Sequence, residues 1–242
     1  ESMLKKKKYF KNNVGGSKNL IKLMYKYNCK KLVFSSSACV YDENNRSPIK
    51  ETSKLNPKSN YGKTKLKIEE MLKNFYTKNR RSSITILRYF NPIGAHKSGT
   101  IYENPKKAEN IIPNIINSIK NRKNIFRIYG NNYKTFDGTC IRDYIHVVDL
   151  ARSHIYALNK FSNQSFKIIN IGTGKGYSVL ELIKTFNKFL PIRLKFKYVS
   201  RRLGDVEMSF SDTKKQKKLL KFEPKYHLNH MVKDILNTEI LK

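Results

Sequence analysis

Apolar positions along the chain alternate between two rhythms. Leu20, Leu23, Met24 and Tyr27 recur at the spacing of one helical face, which predicts a helix over Asn19 to Tyr27. The short apolar run Leu32-Val33-Phe34 then reads as a buried strand within Lys31 to Ser35. A second helix is predicted near Tyr61, because Tyr61, Lys65, Ile68, Leu72 and Phe75 continue one face. Pro57 ahead of it and Ser59 as N-cap set its start. Ser83 to Phe90 is an apolar strand, and Asn91-Pro92 is expected to stop it, since proline disfavours continuation.

The same alternation continues downstream. His96 to Asn110 is polar and reads as a loop, followed by a helix over Ile111 to Lys120, a strand over Phe126 to Tyr129 and a turn at Gly130-Asn131-Asn132. Asp143 to Val148 precedes Asp149, expected as the N-cap of a helix through Leu158. Phe166 to Ile171 is a further strand, then come a helix over Ser178 to Leu190 and a strand over Arg193 to Val199. Helix following strand in this way implies βαβ units, an α/β fold and a parallel sheet.

Gly172-Thr173-Gly174-Lys175-Gly176 has the look of a dinucleotide phosphate loop. That fingerprint expects an acidic residue about 20 positions on, to bind the ribose. The strand there ends at Ser200 with no acid, so these glycines read as a tight turn at a helix start.

Candidate chemistry gathers where the first strand ends. Ser35, Ser36 and Ser37 follow Phe34, and open α/β sheets place ligands at the carboxyl ends of their strands. Tyr61 and Lys65, on one helical face, add a phenol and an ammonium. Lowering a phenol from its ordinary pKa of about 10 by about three units takes roughly 4 kcal/mol. An ammonium about 5 Å away supplies roughly 3 kcal/mol at an effective dielectric of about 20. Lysine is thus expected to make tyrosine a base near neutral pH while a serine hydroxyl relays or orients the proton. Tyr27/Lys31, Tyr102/Lys106 and Tyr156/Lys160 share the spacing, but only the Tyr61 pair opens a helix after a serine-ended strand. The competing reading is a partly buried tyrosine beside a snorkelling lysine.

Composition narrows the class. A chain of 242 residues, 39% hydrophobic, is long enough to bury a full core. Its formal net charge of +32 would ordinarily suggest a polyanionic partner. The lysines are scattered, however, and no helix-turn-helix, zinc-ligand or aromatic RNA-binding signature accompanies them, so no specific nucleic acid is expected. Cys29, Cys39 and Cys140 lack disulfide-framework or metal spacing, so no metal site is expected and a reducing, cytoplasmic setting fits. No apolar run reaches the roughly 18 residues of a membrane span.

Several segments together carry a family resemblance. They are Asn12 to Gly16, Phe34 to Tyr41, Tyr61 to Lys65, Leu87 to His96, Asp137-Gly138-Thr139, Arg142 to Val147 and Arg201 to Asp205. In this order they resemble the extended short-chain dehydrogenase/reductase superfamily, most closely its UDP-glucose 4-epimerases. The resemblance implies a partial Rossmann-type doubly wound parallel sheet and a smaller C-terminal α/β substrate-binding domain. Residues 1–93 would be the remainder of an NAD-binding domain. Residues 94–242 would mainly bind UDP-sugar, with part of 141–175 returning to the Rossmann sheet.

It also implies roles. NAD would take a hydride from the sugar C4 and return it to the opposite face of a rotated 4-keto sugar. Tyr61 would be the base, Lys65 would lower its pKa and hold the nicotinamide ribose, and Ser37 would hydrogen-bond the C4 hydroxyl. Asn12, Ser35 and Phe90 would lie by the cofactor. Arg142 and Arg202 would bind the UDP phosphates, a task suited to guanidinium forks. Asp205 would hold ribose, Asn91 and Asn110 would contact the UDP-sugar, and Arg127, Ile128 and Tyr129 would flank uracil. Ser209 stands where members restricted to UDP-glucose and UDP-galactose tend to carry tyrosine and members accepting N-acetylated sugars a smaller residue. Homodimers would form through helices near residues 16–28 and 60–79.

The chain also departs from the pattern. Such enzymes open with a strand, a Gly-rich phosphate loop and further βα units, none of which lies before Asn12, so a chain of these residues is expected not to retain NAD. Asp42 replaces a glycine and Cys39 a threonine. Two rival readings are another nucleotide-sugar dehydratase or decarboxylase of the superfamily, and a noncatalytic nucleotide-sugar-binding homologue. A dehydratase would want an acid/base pair beside the serine, whereas Ser37 is followed by Ala38-Cys39.

Overall fold

The computed structural model describes residues 5–104, 110–121, 125–161, 164–202 and 204–241. Lys106 and Leu203 therefore lie outside the described residues. In chain order, α1 (Lys6–Tyr9), a π-helical stretch (Phe10–Gly15) and α2 (Gly16–Lys26) lead into β1 (Lys31–Ser37) and a 3-10 turn (Ala38–Val40). Next come α3 (Asn60–Lys78), β2 (Ser83–Tyr89), β3 (Asn91–Ile93), α4 (Ile111–Lys120), β4 (Phe126–Tyr129), β5 (Ile141–Arg142) and β6 (Tyr144–His146). The chain continues through α5 (Val147–Lys160), β7 (Ser165–Ile171), β8 (Tyr177–Ser178), α6 (Val179–Phe189), β9 (Phe196–Val199) and β10 (Met208–Ser209). A π-helical Gln216–Leu220, α7 (Leu228–Leu236) and a 3-10 turn (Glu239–Leu241) complete it.

These elements form two compact units. The first comprises Glu1–Phe90, Arg152–Ile171 and Ser211–Glu223. Its sheet is the parallel order β1-β2-β7, as the alternation of helix and strand predicts. Period-two alternation sorts the rows of that sheet. Leu32, Ile84 and Phe166 share one row and Phe34, Ile86 and Ile168 another. Both rows pack against Met24 of α2 and Ile68, Leu72 and Phe75 of α3. The next row on that face is polar: Ser36, Arg88 and Asn170.

The second unit comprises Asn91–Ala151, Gly172–Phe210 and Pro224–Lys242. Short ladders pair β3 with β6, β4 with β9, and β5 with both β8 and β10. Its core combines Ile112, Ile115 and Ile116 of α4, Leu182, Ile183 and Phe186 of α6, and Met231, Val232 and Ile235 of α7.

β2 ends at Tyr89, ahead of Asn91-Pro92 as expected, while two other sequence expectations need correction. The chain resumes as the separate strand β3, with Pro92 opposite Ile145 of β6. Proline is tolerated because the strand is a three-residue ladder with that position exposed. Asp149 is not an N-cap but sits in the first turn of α5, its carboxylate accepting the Lys225 and Tyr226 amides at 2.8 and 2.9 Å. The strand expected from Arg193 begins only at Phe196, because the Leu194 amide is taken by Asn187 Oδ1 at 2.7 Å. No helix among the described residues is long and apolar enough to cross a membrane.

Candidate functional site

The first group of candidates is built by the start of α3. The Ser59 hydroxyl accepts the Gly62 amide at 3.0 Å, so the predicted cap forms and the helix opens at Asn60. Gly62 is required by close packing: a Cβ there would overlap the Cys39 carbonyl and stand 2.8 Å from Pro57 Cβ. That fit lets the first turn of α3 lie against the 3-10 turn after β1. Ser37 closes β1, its hydroxyl accepting the Cys39 amide at 3.2 Å and hydrogen-bonding to the Tyr61 phenol.

Lys65 lies one turn further along. Its ammonium donates to the Ser35 carbonyl at 2.8 Å, and lies 5.0 Å from the Phe34 ring centre and 5.5 Å from that of Tyr61. Burial lowers its own pKa from the usual lysine range. Tyr61 moves opposite to the sequence expectation: burial, with Tyr89 and Cys39 nearby, raises the phenol well above its ordinary pKa. Desolvation of the phenol is the largest cause of the rise.

The remaining cofactor-side candidates are dispersed around this trio. The Ser35 hydroxyl pairs with His154 Nε2 at 2.8 Å, so Ser35 serves Lys65 through its carbonyl alone. Phe90 is buried with Val40, Tyr41 and Ile49. Asn12 is exposed and donates to its neighbour Asn13 at 3.3 Å, whereas Asn13 reaches Thr64 of α3 at 3.1 Å. The donor set of Tyr61, Lys65 and Ser37 at the carboxyl end of a parallel strand fits a hydroxyl-bearing ribose and the redox ring it carries.

The second group of candidates lies in the second unit. Arg142 donates to the carbonyls of Ile141 and Val206 at 2.9 and 2.8 Å and meets Asp205 at 3.6 Å. The Asp205 amide returns to the Arg202 carbonyl at 3.2 Å, and the Arg202 guanidinium covers the Tyr129 ring at 3.8 Å. Hydrogen bonding and charge from Arg202, joined by Arg127, hold the Tyr129 hydroxyl below its usual pKa. Ser209 is in register with Arg142 across β10 and β5. Asn91 donates to the Asp143 carbonyl at 3.1 Å, and Asn110 to Glu103 at 2.8 Å. Arg127 is exposed, but the Ile128 side chain is in the core, so Ile128 offers a ligand only its backbone.

Asp143 settles the glycine-rich loop. Its carboxylate accepts the amides of Thr173 at 2.8 Å and Gly174 at 3.1 Å, and the Thr173 hydroxyl at 2.6 Å. An internal carboxylate thus fills the place that a phosphate would take in a dinucleotide loop. Past this turn, Ser178 and Glu181 form a capping box that starts α6. Sequence spacing gave no sign of Asp143 in this role, because its partners lie about thirty positions away.

Residues 1–172 match the NAD dependent epimerase/dehydratase family. The UDP-glucose 4-epimerase of Bacillus subtilis (strain 168) is 43% identical over 229 residues, covering 94% of this chain and 68% of that protein. UDP-glucose 4-epimerase 2 of Oryza sativa subsp. japonica is 44% identical over 241 residues, of which the chain spans 98% of itself and 59% of the relative. Among solved structures, UDP-glucose 4-epimerase from Bifidobacterium longum in complex with NAD+ and UDP superposes with a TM-score of 0.92 at 37% identity, covering 98% of this chain and 71% of that one.

Proposed function

The chain belongs to the NAD dependent epimerase/dehydratase family, and on that premise we propose that it epimerises UDP-hexoses at C4 through a 4-keto intermediate. The observation that carries this reading is the convergence of Ser37, Tyr61 and Lys65 at the carboxyl end of β1. NAD, held by Lys65, Tyr61 and Ser37, would accept and return the C4 hydride. Ser37 bonds the C4 hydroxyl and links it to Tyr61, which takes that proton and later returns it to the keto oxygen. A protonated, buried phenol suits the returning step, and the Lys65 ammonium favours the phenolate that precedes it.

The arginine set supports the UDP half of the substrate. Two backbone carbonyls hold Arg142 in place, leaving its guanidinium oriented before any phosphate arrives. Arg202 and Tyr129 present a cationic and an aromatic face together, suited to a diphosphate and a pyrimidine. Ser209, small and beside Arg142, supports acceptance of UDP-GlcNAc and UDP-GalNAc as well as the unmodified pair. Leu20, Leu23 and Tyr27 leave an apolar stripe exposed on and just after α2, which supports a homodimer through that helix. Three cysteines free of disulfides support a cytoplasmic setting.

The test is incubation of the chain with UDP-galactose and saturating NAD, supplied in solution because none is expected to be retained, followed by chromatographic separation of UDP-glucose. Conversion is expected, and Tyr61→Phe should reduce it by about 10² to 10⁴-fold while leaving UDP affinity intact. A deoxy-keto product would instead identify a dehydratase, and binding without turnover a noncatalytic homologue.

A further inference from the structure

The polar row Ser36, Arg88 and Asn170 lies on the same face of the sheet as two rows of aliphatic and aromatic side chains. Arg88 is 2% exposed and Glu69 4%, so an ion pair is buried beneath α3. Arg88 holds Glu69 in a fork, with Nε 3.0 Å from Oε1 and an amino nitrogen 2.6 Å from Oε2. The Ser36 hydroxyl donates to the same Oε1 at 2.5 Å. The other amino group of Arg88 donates to the Tyr41 hydroxyl at 3.2 Å and the Glu51 carbonyl at 3.3 Å. Tyr41 donates to Asn170 Oδ1 at 2.6 Å, and Asn170 donates to the Ile49 carbonyl at 2.8 Å.

This network joins α3, all three strands and the segment after β1. Glu69 is one helical turn beyond Lys65 and two beyond Tyr61, so the three side chains descend one face of α3. Ser36 is the residue immediately before Ser37. One carboxylate therefore ties the helix that carries Tyr61 to the strand that carries Ser37. Apolar packing alone would permit α3 to slide or rotate slightly over Ile84 and Ile86. A bidentate fork is directional, and a misplaced α3 would leave a buried charge unpaired. Such pairs do not make a core more stable than apolar side chains would, so the gain here is geometric.

We propose that Glu69 and Arg88, together with Ser36, are positioning residues that set the separation and orientation of Tyr61 relative to Ser37. The proposal rests on the epimerase reading only for its catalytic consequence. The geometric claim concerns the chain by itself.

The test uses the 242-residue chain carrying 3-fluorotyrosine, with Tyr61→Phe assigning the Tyr61 fluorine resonance. Ser36→Ala removes one bond without stranding a charge, and the double variant Glu69→Gln/Arg88→Gln removes both charges together. In both, the Tyr61 resonance should shift or broaden, and kcat should fall by about 10 to 100-fold. KM for UDP-galactose should stay within about twofold, since the phosphate contacts are untouched. Ile86→Val, in the same core, should lower the melting temperature by about 2–4 °C and leave resonance and kcat as they are. Folded Ser36→Ala and double variants with an unchanged Tyr61 resonance would overturn the proposal. If the double variant does not fold, Ser36→Ala decides by the same criterion. Absence of epimerisation by the unsubstituted chain would sink the functional reading, while the fluorine measurement would still judge the positioning role.

Discussion

The Lys65 ammonium donates to the carbonyl oxygen of Ser35 at 2.8 Å, which makes the lysine a strut between α3 and β1 as well as a charge near Tyr61. Lys65→Ala is expected to weaken the affinity for added NAD and cut turnover together. Lys65→Met, which keeps most of the stem, should preserve the melting temperature better than alanine while remaining equally inactive. Comparing the two by thermal unfolding and by titration with NAD separates packing from charge. Equal turnover in Lys65→Met and the unsubstituted chain would remove the lysine from the mechanism.

Tyr41 gives the stability a defined pH dependence. Burial pushes its phenol up to about 12, against the pull of the Arg88 guanidinium. A raised folded pKa holds its full stabilising share below the ordinary value of about 10, and loses it as pH rises through the folded value. A gap of about two units corresponds to roughly 3 kcal/mol of stability lost between about pH 10 and pH 12. Urea unfolding across that range should show this loss, and Tyr41→Phe should flatten the slope. An unchanged slope in Tyr41→Phe would place the alkaline sensitivity elsewhere.

Arg142 is expected to govern UDP affinity. Arg142→Ala should weaken UDP binding by about 10 to 100-fold, as loss of charge-assisted hydrogen bonds of about 1.5–3 kcal/mol implies. Lysine should rescue little, because it cannot donate to the Ile141 and Val206 carbonyls while also forking to a phosphate. Titration calorimetry with UDP decides. Wild-type affinity in Arg142→Lys would show that only point charge matters there.

Gly62→Ala tests the seat of α3. The added methyl group would press on the Cys39 carbonyl and Pro57, and overpacking of this kind costs about 1–3 kcal/mol. The melting temperature should fall by several degrees, at about 2–4 °C per kcal/mol for a domain of this size. A fully stable Gly62→Ala protein would mean that the first turn of α3 has room to retreat.

Ser209→Tyr tests the breadth of sugar acceptance. A phenol placed in register with Arg142 should exclude an acetamido group by overpacking worth about 1–3 kcal/mol, or roughly one to two orders of magnitude in rate. Rates on UDP-GalNAc should drop selectively while UDP-galactose is still turned over. Equal rates on both sugars before and after the change would exclude Ser209 as the gate.

Local signals were legible where local chemistry decides. The periodicity of Ile111 to Lys120 and the apolar run Phe126 to Tyr129 give α4 and β4 with the same bounds the structure shows. Ser59 reads as a cap and is one, because a cap is satisfied within three residues. What escaped depends on distance along the chain. Nothing in the spacing of Glu69 and Arg88 pairs them, and only the packing of α3 on β2 brings them together. The Tyr61 to Lys65 spacing was correct as geometry yet misleading as electrostatics, since spacing carries no measure of desolvation. Asp143 could not be assigned to the glycine loop for the same reason as Glu69: its partners come from another part of the chain.

The interleaving of the two units along the sequence bears on how the chain acquires its structure during synthesis. Ser37, Tyr61 and Lys65 are all made before residue 90, but β2 lacks one of its neighbours until Ser165 to Ile171 emerge, and Ile49 meets its bridge partner Ser211 later still. Parallel strands and such long closures are slow to pair. Nascent chains released after Phe90 should therefore remain collapsed and protease-sensitive, and protection of the Tyr61 segment should rise sharply only once the ribosome has passed residue 211.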